Sequence, residues 1–193
     1  MIDYIPEKLG TPKVIKVRSA WKPLPPVIFD IINTFDLKTN RALEFGVERG
    51  YSTSALANYF KKVIGVDTFD WDLGDSVKRD FKAIKNLLED YPNIQLVKST
   101  FQDYILKKRT GRFDLIHVDI GYETHEYDTT YPCGEWAVQH SDCVIFHDTI
   151  SFPGVKQACE ELSEQFGFEF YNYKEPIGPA RIVCGLGILI KKP

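Results

Sequence analysis

No apolar run in the chain approaches the roughly 20 residues that a membrane-spanning helix needs. The longest candidate, Val183 to Ile190, is broken by Gly185 and Gly187 and has the length of a buried strand. The opening Met1-Ile2-Asp3-Tyr4 has neither the basic region nor the apolar core of a secretory leader. The expectation is therefore a cytoplasmic protein with no membrane partner. Cysteines are few and far apart: Cys133, Cys143, Cys159 and Cys184 form no C-x-x-C pair. That removes zinc-ribbon and dithiol redox readings and leaves reduced thiols as the default. Positive charge is not in excess either. A net charge of −3 is unlike the basic footprint of a nucleic-acid binder, so no nucleic-acid partner is expected. The basic cluster Lys107, Lys108, Arg109 and Arg112 reads as a solvated connection around Gly111.

What is present is an ordinary globular composition, 44% hydrophobic and 26% charged over 193 residues, enough for a single sizeable core. Residues 1–22 read as irregular, with Pro6, Gly10 and Pro12 discouraging regular structure. Helix and strand patterns then alternate. The helices are expected at 27–35, 52–59, 75–89, 101–107, 127–138 and 155–166, from apolar residues at helical spacing. The strands are expected at 41–45, 63–66, 94–97, 113–118 and 143–146, followed by 168–173 and 186–191. Strands alternating with helices imply a parallel sheet with right-handed crossovers. The last two strands have no helix between them and can pair antiparallel.

In open sheets of this kind, ligands bind beyond the carboxyl ends of the strands, near the point where the strand order reverses. Acidic residues gather there: the first strand runs into Glu44-Phe45-Gly46-Val47-Glu48-Arg49-Gly50, and later strands end at Asp67, Asp119 and His147-Asp148. The first turn is G-x-x-x-G, not the G-x-G-x-x-G of dinucleotide binders. Its glycines let backbone approach a ligand, and the following helix start offers free N–H groups to an anion. Asp67 lies 21 positions after Gly46, close to the roughly 20 expected of a carboxylate that grips ribose hydroxyls. Glu44 lies within a strand, and carboxylates are seldom buried without a partner. A ligand-facing role is expected for it, with a structural hydrogen bond as the alternative. His117, inside the fourth strand, reads as a hydrogen-bonded core histidine.

Glu44 to Ser52 resembles motif I of class I S-adenosylmethionine (SAM)-dependent methyltransferases, and Val63 to Phe69 resembles their second motif. Phe113 to Asp119, and Val144 to Thr149 with Pro153-Gly154-Val155, are similar to the small O-methyltransferases that include antibiotic-sugar and macrocin-type enzymes. The resemblance covers roughly residues 40–192. It implies an α/β fold: a Rossmann-like three-layer sandwich around a mostly parallel seven-stranded sheet whose last strand is antiparallel. Residues 1–39 would then be an N-terminal extension and helix, and 40–193 the methyltransferase domain.

The resemblance also implies roles. Glu44, Gly46 and Gly50, with Val47 in the same turn, would face the methionine end of SAM, with Ser52 near its carboxylate. Asp67 would hold the ribose. Thr68, Phe69, Thr100 and Phe101 would border the adenine, and Asp119 would sit by the transferred methyl group. In metal-dependent relatives a magnesium ion is held at positions matching Asp119, His147 and Asp148. Histidine at 147 puts magnesium in doubt, because that ion prefers oxygen ligands, and leaves a manganese, iron or metal-free site open. The relatives' acidic base position is Gly121 here, so Glu123 or His125 would have to take its place, with Asp119 and His147 as the other catalytic candidates. Contacts to a small-molecule acceptor are expected from Tyr122, Tyr131, Trp136 and Arg181. The expected activity is O-methylation of a small hydroxylated molecule, a sugar or natural product. A non-catalytic SAM-binding protein and an NAD-dependent oxidoreductase are the alternatives, and a homo-oligomer is left open.

Overall fold

The computed structural model describes all residues except 23, 71–79, 108–110, 121–125, 175–182 and 193. Their elements run β1 (Ile2–Asp3), α1 (Pro25–Thr34), β2 (Arg41–Phe45), α2 (Tyr51–Ala57), β3 (Lys62–Asp67), α3 (Phe81–Leu87), β4 (Ile94–Lys98), α4 (Phe101–Lys107), β5 (Leu115–Val118), α5 (Glu126–His140), β6 (Cys143–His147), α6 (Pro153–Phe166), β7 (Phe168–Tyr173) and β8 (Leu186–Lys191). The sheet order is β1-β7-β8-β6-β5-β2-β3-β4. Strands β2 to β6 pair in parallel, and β8 runs antiparallel between β6 and β7. The eighth strand was not expected. Ile2–Asp3 pairs with Tyr171–Asn172 at the sheet edge, a two-residue match too short to leave a periodic signal.

Strand side chains alternate between two helical layers, as a period of two requires. Leu43, Phe45, Ile64, Val66, Val144 and Phe146 pack with Tyr104 of α4, Ala137 of α5 and Leu162 of α6. Ala42, Val63, Cys143 and Ile145 pack on the opposite face with Ile28 and Ile31 of α1 and Leu56 of α2. Each fully buried Leu, Ile or Phe contributes roughly 1.5–3 kcal/mol. A smaller cluster of Val47, Phe69, Ile84 and Leu88 seats α3 beneath the turn after β2.

Helix ends follow local chemistry. Prolines occupy the first turns of α1 and α6, where a missing N–H costs nothing. Asp80 is extended and caps α3 by accepting the Ala83 N–H at 2.9 Å. That helix therefore starts at Phe81; of the earlier start expected at Asp75, residues 75–79 lie outside those described. The four cysteines are buried and none is in a disulfide. No helix among the described residues is long and apolar enough to cross a membrane.

Residues 4–22 run as a strap across α1 and α2. Tyr4 and the Glu7 and Lys8 N–H groups all donate to the buried carboxylate of Asp30 on α1, at 2.6, 3.1 and 2.7 Å. Further along, Lys13 exchanges hydrogen bonds with Asn58, and the Ile15 N–H donates to Ser54. The strap ends by burying Trp21 beside the carboxyl ends of β5 and β6, its ring 4.8 Å from His117 and 6.1 Å from His147.

Candidate active site

The chain leaves β2 toward β3 on one side, and β5 lies on the other, so the crevice forms where β2 and β5 end. Gly46 sits at that point with φ +94°, and a Cβ there would lie 1.9 Å from the Asp119 carbonyl oxygen. Glycine is needed because two backbones meet. Asp119 in turn donates its N–H to the Phe45 carbonyl at 2.8 Å.

Two cavities open from this crevice. The larger, about 390 Å³, is lined by Gly46, Asp67, Thr68, Thr100, Phe101 and Asp119 among others. Its volume falls in the range of cofactor pockets. The smaller, about 160 Å³, is lined by Ser19 to Trp21 of the strap, by Val47, Tyr51 and Ser52 of the turn and α2, and by His147 and Asp148 after β6. Glu48 and Asp119 line both.

Asp67 organises the turn as well as facing the larger cavity. One carboxylate oxygen accepts the Val47 and Glu48 N–H groups at 2.7 and 2.9 Å, and the other accepts the Phe69 N–H at 2.8 Å. A carboxylate has about four acceptor sites, so one is left for a ligand.

His147 is the electrostatic centre of the smaller cavity. Its Nδ1 lies 3.4 Å from Asp119 Oδ1 and 3.3 Å from Asp148 Oδ2. Burial alone would push its pKa down. The Asp119 charge and hydrogen bonding with Asp119, Asp148 and Cys184 outweigh burial and raise it well above the ordinary histidine value. Asp148 shifts the other way: burial would raise it, but hydrogen bonding and charge from His147 bring it below the usual carboxylate value. Among the described residues, the ligand atoms of His147, Asp148 and Cys184 lie within 4.8 Å of one another.

Backbone strain gathers here too. Glu48, Phe69 and Asp148 have φ of 48°, 52° and 70°, a left-handed region that costs non-glycine residues. All three follow strand ends at the crevice.

Of the expected cofactor residues, Gly46, Asp67, Thr68, Thr100, Phe101 and Asp119 come together on the larger cavity, and Val47, Ser52 and Asp119 on the smaller. Glu44 lines neither. It is fully buried, accepting the Thr53 hydroxyl and the His117 Nδ1–H, the latter at 2.9 Å. The alternative weighed for Glu44, a structural hydrogen bond, is what is seen. Phe69 points into the α3 cluster against Phe81, with ring centroids 5.2 Å apart. Gly50 lines neither cavity; with φ +80° it precedes α2, and a Cβ there would crowd Leu88. Tyr131 stacks on Tyr127, and Trp136 packs against His140 and Phe45; neither lines either cavity. Aromatic residues at helical spacing served packing. Gly121, Tyr122, Glu123, His125 and Arg181 lie outside the described residues.

Sequence reasoning missed Ser19, Ala20, Trp21 and Tyr51 on the smaller cavity, and Gln102, Ile120 and Thr129 on the larger. Tyr51 stood within motif I and was legible by position. Trp21 lay in an aperiodic segment and is brought in by long-range contacts alone.

A family model described as a methyltransferase domain matches residues 43–149. No curated protein matches the sequence. The fold is similar to that of an O-methyltransferase from Streptomyces achromogenes, TomG, involved in tomaymycin synthesis and solved with SAM. The TM-score is 0.65 at 15% identity, covering 91% of this chain and 82% of that one. It is also similar to an O-methyltransferase from Bacillus cereus solved with SAH, at TM-score 0.63 and 16% identity over 91% and 83% of the chains. An rRNA methylase from Streptococcus thermophilus gives TM-score 0.60 at 16% identity, over 91% and 100%.

Proposed function

The chain belongs to the methyltransferase-domain family, as a class I enzyme that uses SAM, and from that premise we propose that it methylates a hydroxyl oxygen of a small molecule. The observation that carries this reading is that a cavity of cofactor size and a much smaller one meet at Asp119, with Glu48 lining both as well. A cavity of about 150 Å³ accommodates benzene, so the smaller space suits one ring and its substituents.

In this reading Thr68, Thr100 and Phe101 border the adenine, and Asp67 offers its remaining acceptor site to a ribose hydroxyl. Gly46 faces the methionine end from the larger cavity, whereas Val47 and Ser52 line the smaller cavity and border the acceptor. Bound SAM would supply an activated methyl group, the acceptor O–C bond forming as the methyl C–S bond breaks and SAH leaving as the neutral thioether. The hydroxyl proton passes to Asp119, which His147 holds in orientation from 3.4 Å. The cofactor supplies the reactivity, and the protein supplies alignment and the proton acceptor.

Magnesium and manganese do not fit the donors gathered here, since both favour oxygen ligands and the cluster of His147, Asp148 and Cys184 offers nitrogen, oxygen and sulfur. No step is routed through a metal. The NAD-dependent alternative gives way to the family match.

The first experiment is titration calorimetry with SAM and, separately, NAD, followed by methyl transfer to a panel of hydroxylated small molecules and to rRNA. SAM binding with transfer to a small hydroxyl compound supports the reading. SAM binding with transfer to rRNA alone overturns the small-molecule acceptor, and binding without turnover on any acceptor returns the non-catalytic alternative.

A further inference from the structure

Between Lys13 and Lys22 the strap carries four cations, Lys13, Lys16, Arg18 and Lys22, and no acidic residue. All four are exposed, and among the described residues none has an ion-pair partner. In a chain of net charge −3 this is a local excess of the opposite sign. Lys16, Arg18 and Lys22 line an open groove of about 450 Å³ together with Tyr51 and three apolar strap residues, and no carboxylate lines it.

The groove adjoins the smaller cavity across a shared wall. Tyr51 is a wall of both the groove and the smaller cavity, and the strap residues Ser19 to Trp21, between Arg18 and Lys22, line that cavity. The strap is tied to the turn after β2 at this point, where Arg49 donates to the Arg18 carbonyl at 3.3 Å. A molecule reaching Asp119 past Tyr51 meets three uncompensated cations on its way.

We propose that this groove binds the anionic end of the acceptor, and that the acceptor is a phosphorylated small molecule: its phosphate rests on Lys16, Arg18 and Lys22 while its hydroxyl enters the smaller cavity at Asp119. The inference rests on the methyltransferase reading for the second half of that statement only. A carboxylate is satisfied by one guanidinium, whereas three cations around one groove match the several charges and acceptor oxygens of a phosphate. Clustered charge beside a cleft also concentrates an oppositely charged substrate at its mouth. The observations favour a small molecule over nucleic acid because the other basic region is neutralised where it is described. Lys107 pairs with Asp103 at 3.5 Å, and Arg112 pairs with Asp142.

The test uses the full chain, with and without saturating SAH, and calorimetry with inorganic pyrophosphate and with UDP at ionic strengths of about 0.02 and 0.15 M, where screening differs. Both probes are expected to bind, more tightly at the lower salt. The triple variant Lys16→Gln/Arg18→Gln/Lys22→Gln is expected to weaken both by about tenfold or more while leaving SAH affinity and Tm unchanged. Lys16→Arg/Lys22→Arg, which keeps the charge, should retain binding. No binding of either probe at low salt overturns the proposal, as does equal binding by the triple variant. A single-stranded RNA of about ten nucleotides that binds more tightly than UDP, and loses that affinity in the triple variant, assigns the groove to nucleic acid and overturns it too. Failure of SAH to bind strikes the methyltransferase reading alone, because the pyrophosphate titration is read on the SAH-free protein.

Discussion

Asp67 does two jobs with one carboxylate. It accepts three backbone N–H groups from the turn after β2 and from its own strand end, and it faces the larger cavity. Asp67→Ala would leave three donors without their acceptor in a site that is 8% exposed. We expect a loss of about 2–5 kcal/mol in urea denaturation and a fall in SAM affinity of about a hundredfold, equivalent to ~3 kcal/mol. Near-normal affinity by calorimetry would remove Asp67 from the ribose role. His147 carries a pH signature. Its folded pKa stands above the unfolded value because of the carboxylates beside it, although burial opposes the rise. A raised pKa stabilises the fold fully below the unfolded value of about 6.5 and loses that contribution as pH climbs through the folded one. The stability gap between the wild type and His147→Gln should therefore be wider at about pH 6 than at about pH 9. A gap that widened with pH would show that the imidazole is held neutral.

At the scale of elements, the meeting of β2 with β5 is the tightest point. The Cβ of Gly46→Ala would collide with backbone, the Asp119 carbonyl at 1.9 Å, whereas that of Gly50→Ala would meet only the movable Leu88 side chain at 2.9 Å. The first variant should lose SAM binding and about 3 kcal/mol or more of stability, and the second clearly less; equal effects in thermal melts and SAM titrations would refute the close approach as the cause. Strain away from the site should be removable. Asp36 follows α1 with φ 48° and is exposed. A left-handed non-glycine residue costs about 1–2 kcal/mol, against about 0.5–1 kcal/mol for the extra freedom of glycine when unfolded. Asp36→Gly should thus stabilise by roughly 0.5–1 kcal/mol in denaturant titrations, and no gain would mean that the turn is held by something other than its own backbone. The elements themselves were readable because their signals are local. Arg41–Phe45, Phe101–Lys107, Phe168–Tyr173 and Leu186–Lys191 fall on the expected bounds. Burial on both faces makes a continuous apolar strand, and one-sided burial makes a helical stripe. The strand-end acids were legible for the same reason: the positions follow from topology, even where the direction of a side chain, as for Glu44 and Phe69, does not.

At the scale of the whole molecule the local signals ran out. Nothing in residues 1–22 predicts a periodic element, yet they supply an edge strand, a strap over two helices and part of the wall of the smaller cavity. Their structure comes from contacts across long sequence separations, which pattern reading does not see. The pivotal contact is Asp30, 3% exposed on α1. It accepts Tyr4 Oη and the Glu7 and Lys8 N–H groups. Removing that carboxylate frees the start of the strap without touching either cavity. Asp30→Ala should cost about 2–4 kcal/mol, since a buried charged acceptor and its donors lose each other. It should also speed proteolytic cleavage within residues 1–22, because cleavage follows the population of the opened segment. SAM affinity should change little, since the larger cavity is built from strand ends and helices that the strap does not line. KM for the acceptor should rise, since Ser19 to Trp21 would then be held less firmly against Tyr51 and His147. Unchanged cleavage with normal KM would mean that the strap is fixed from its Trp21 end alone, by burial of that indole between His117 and His147.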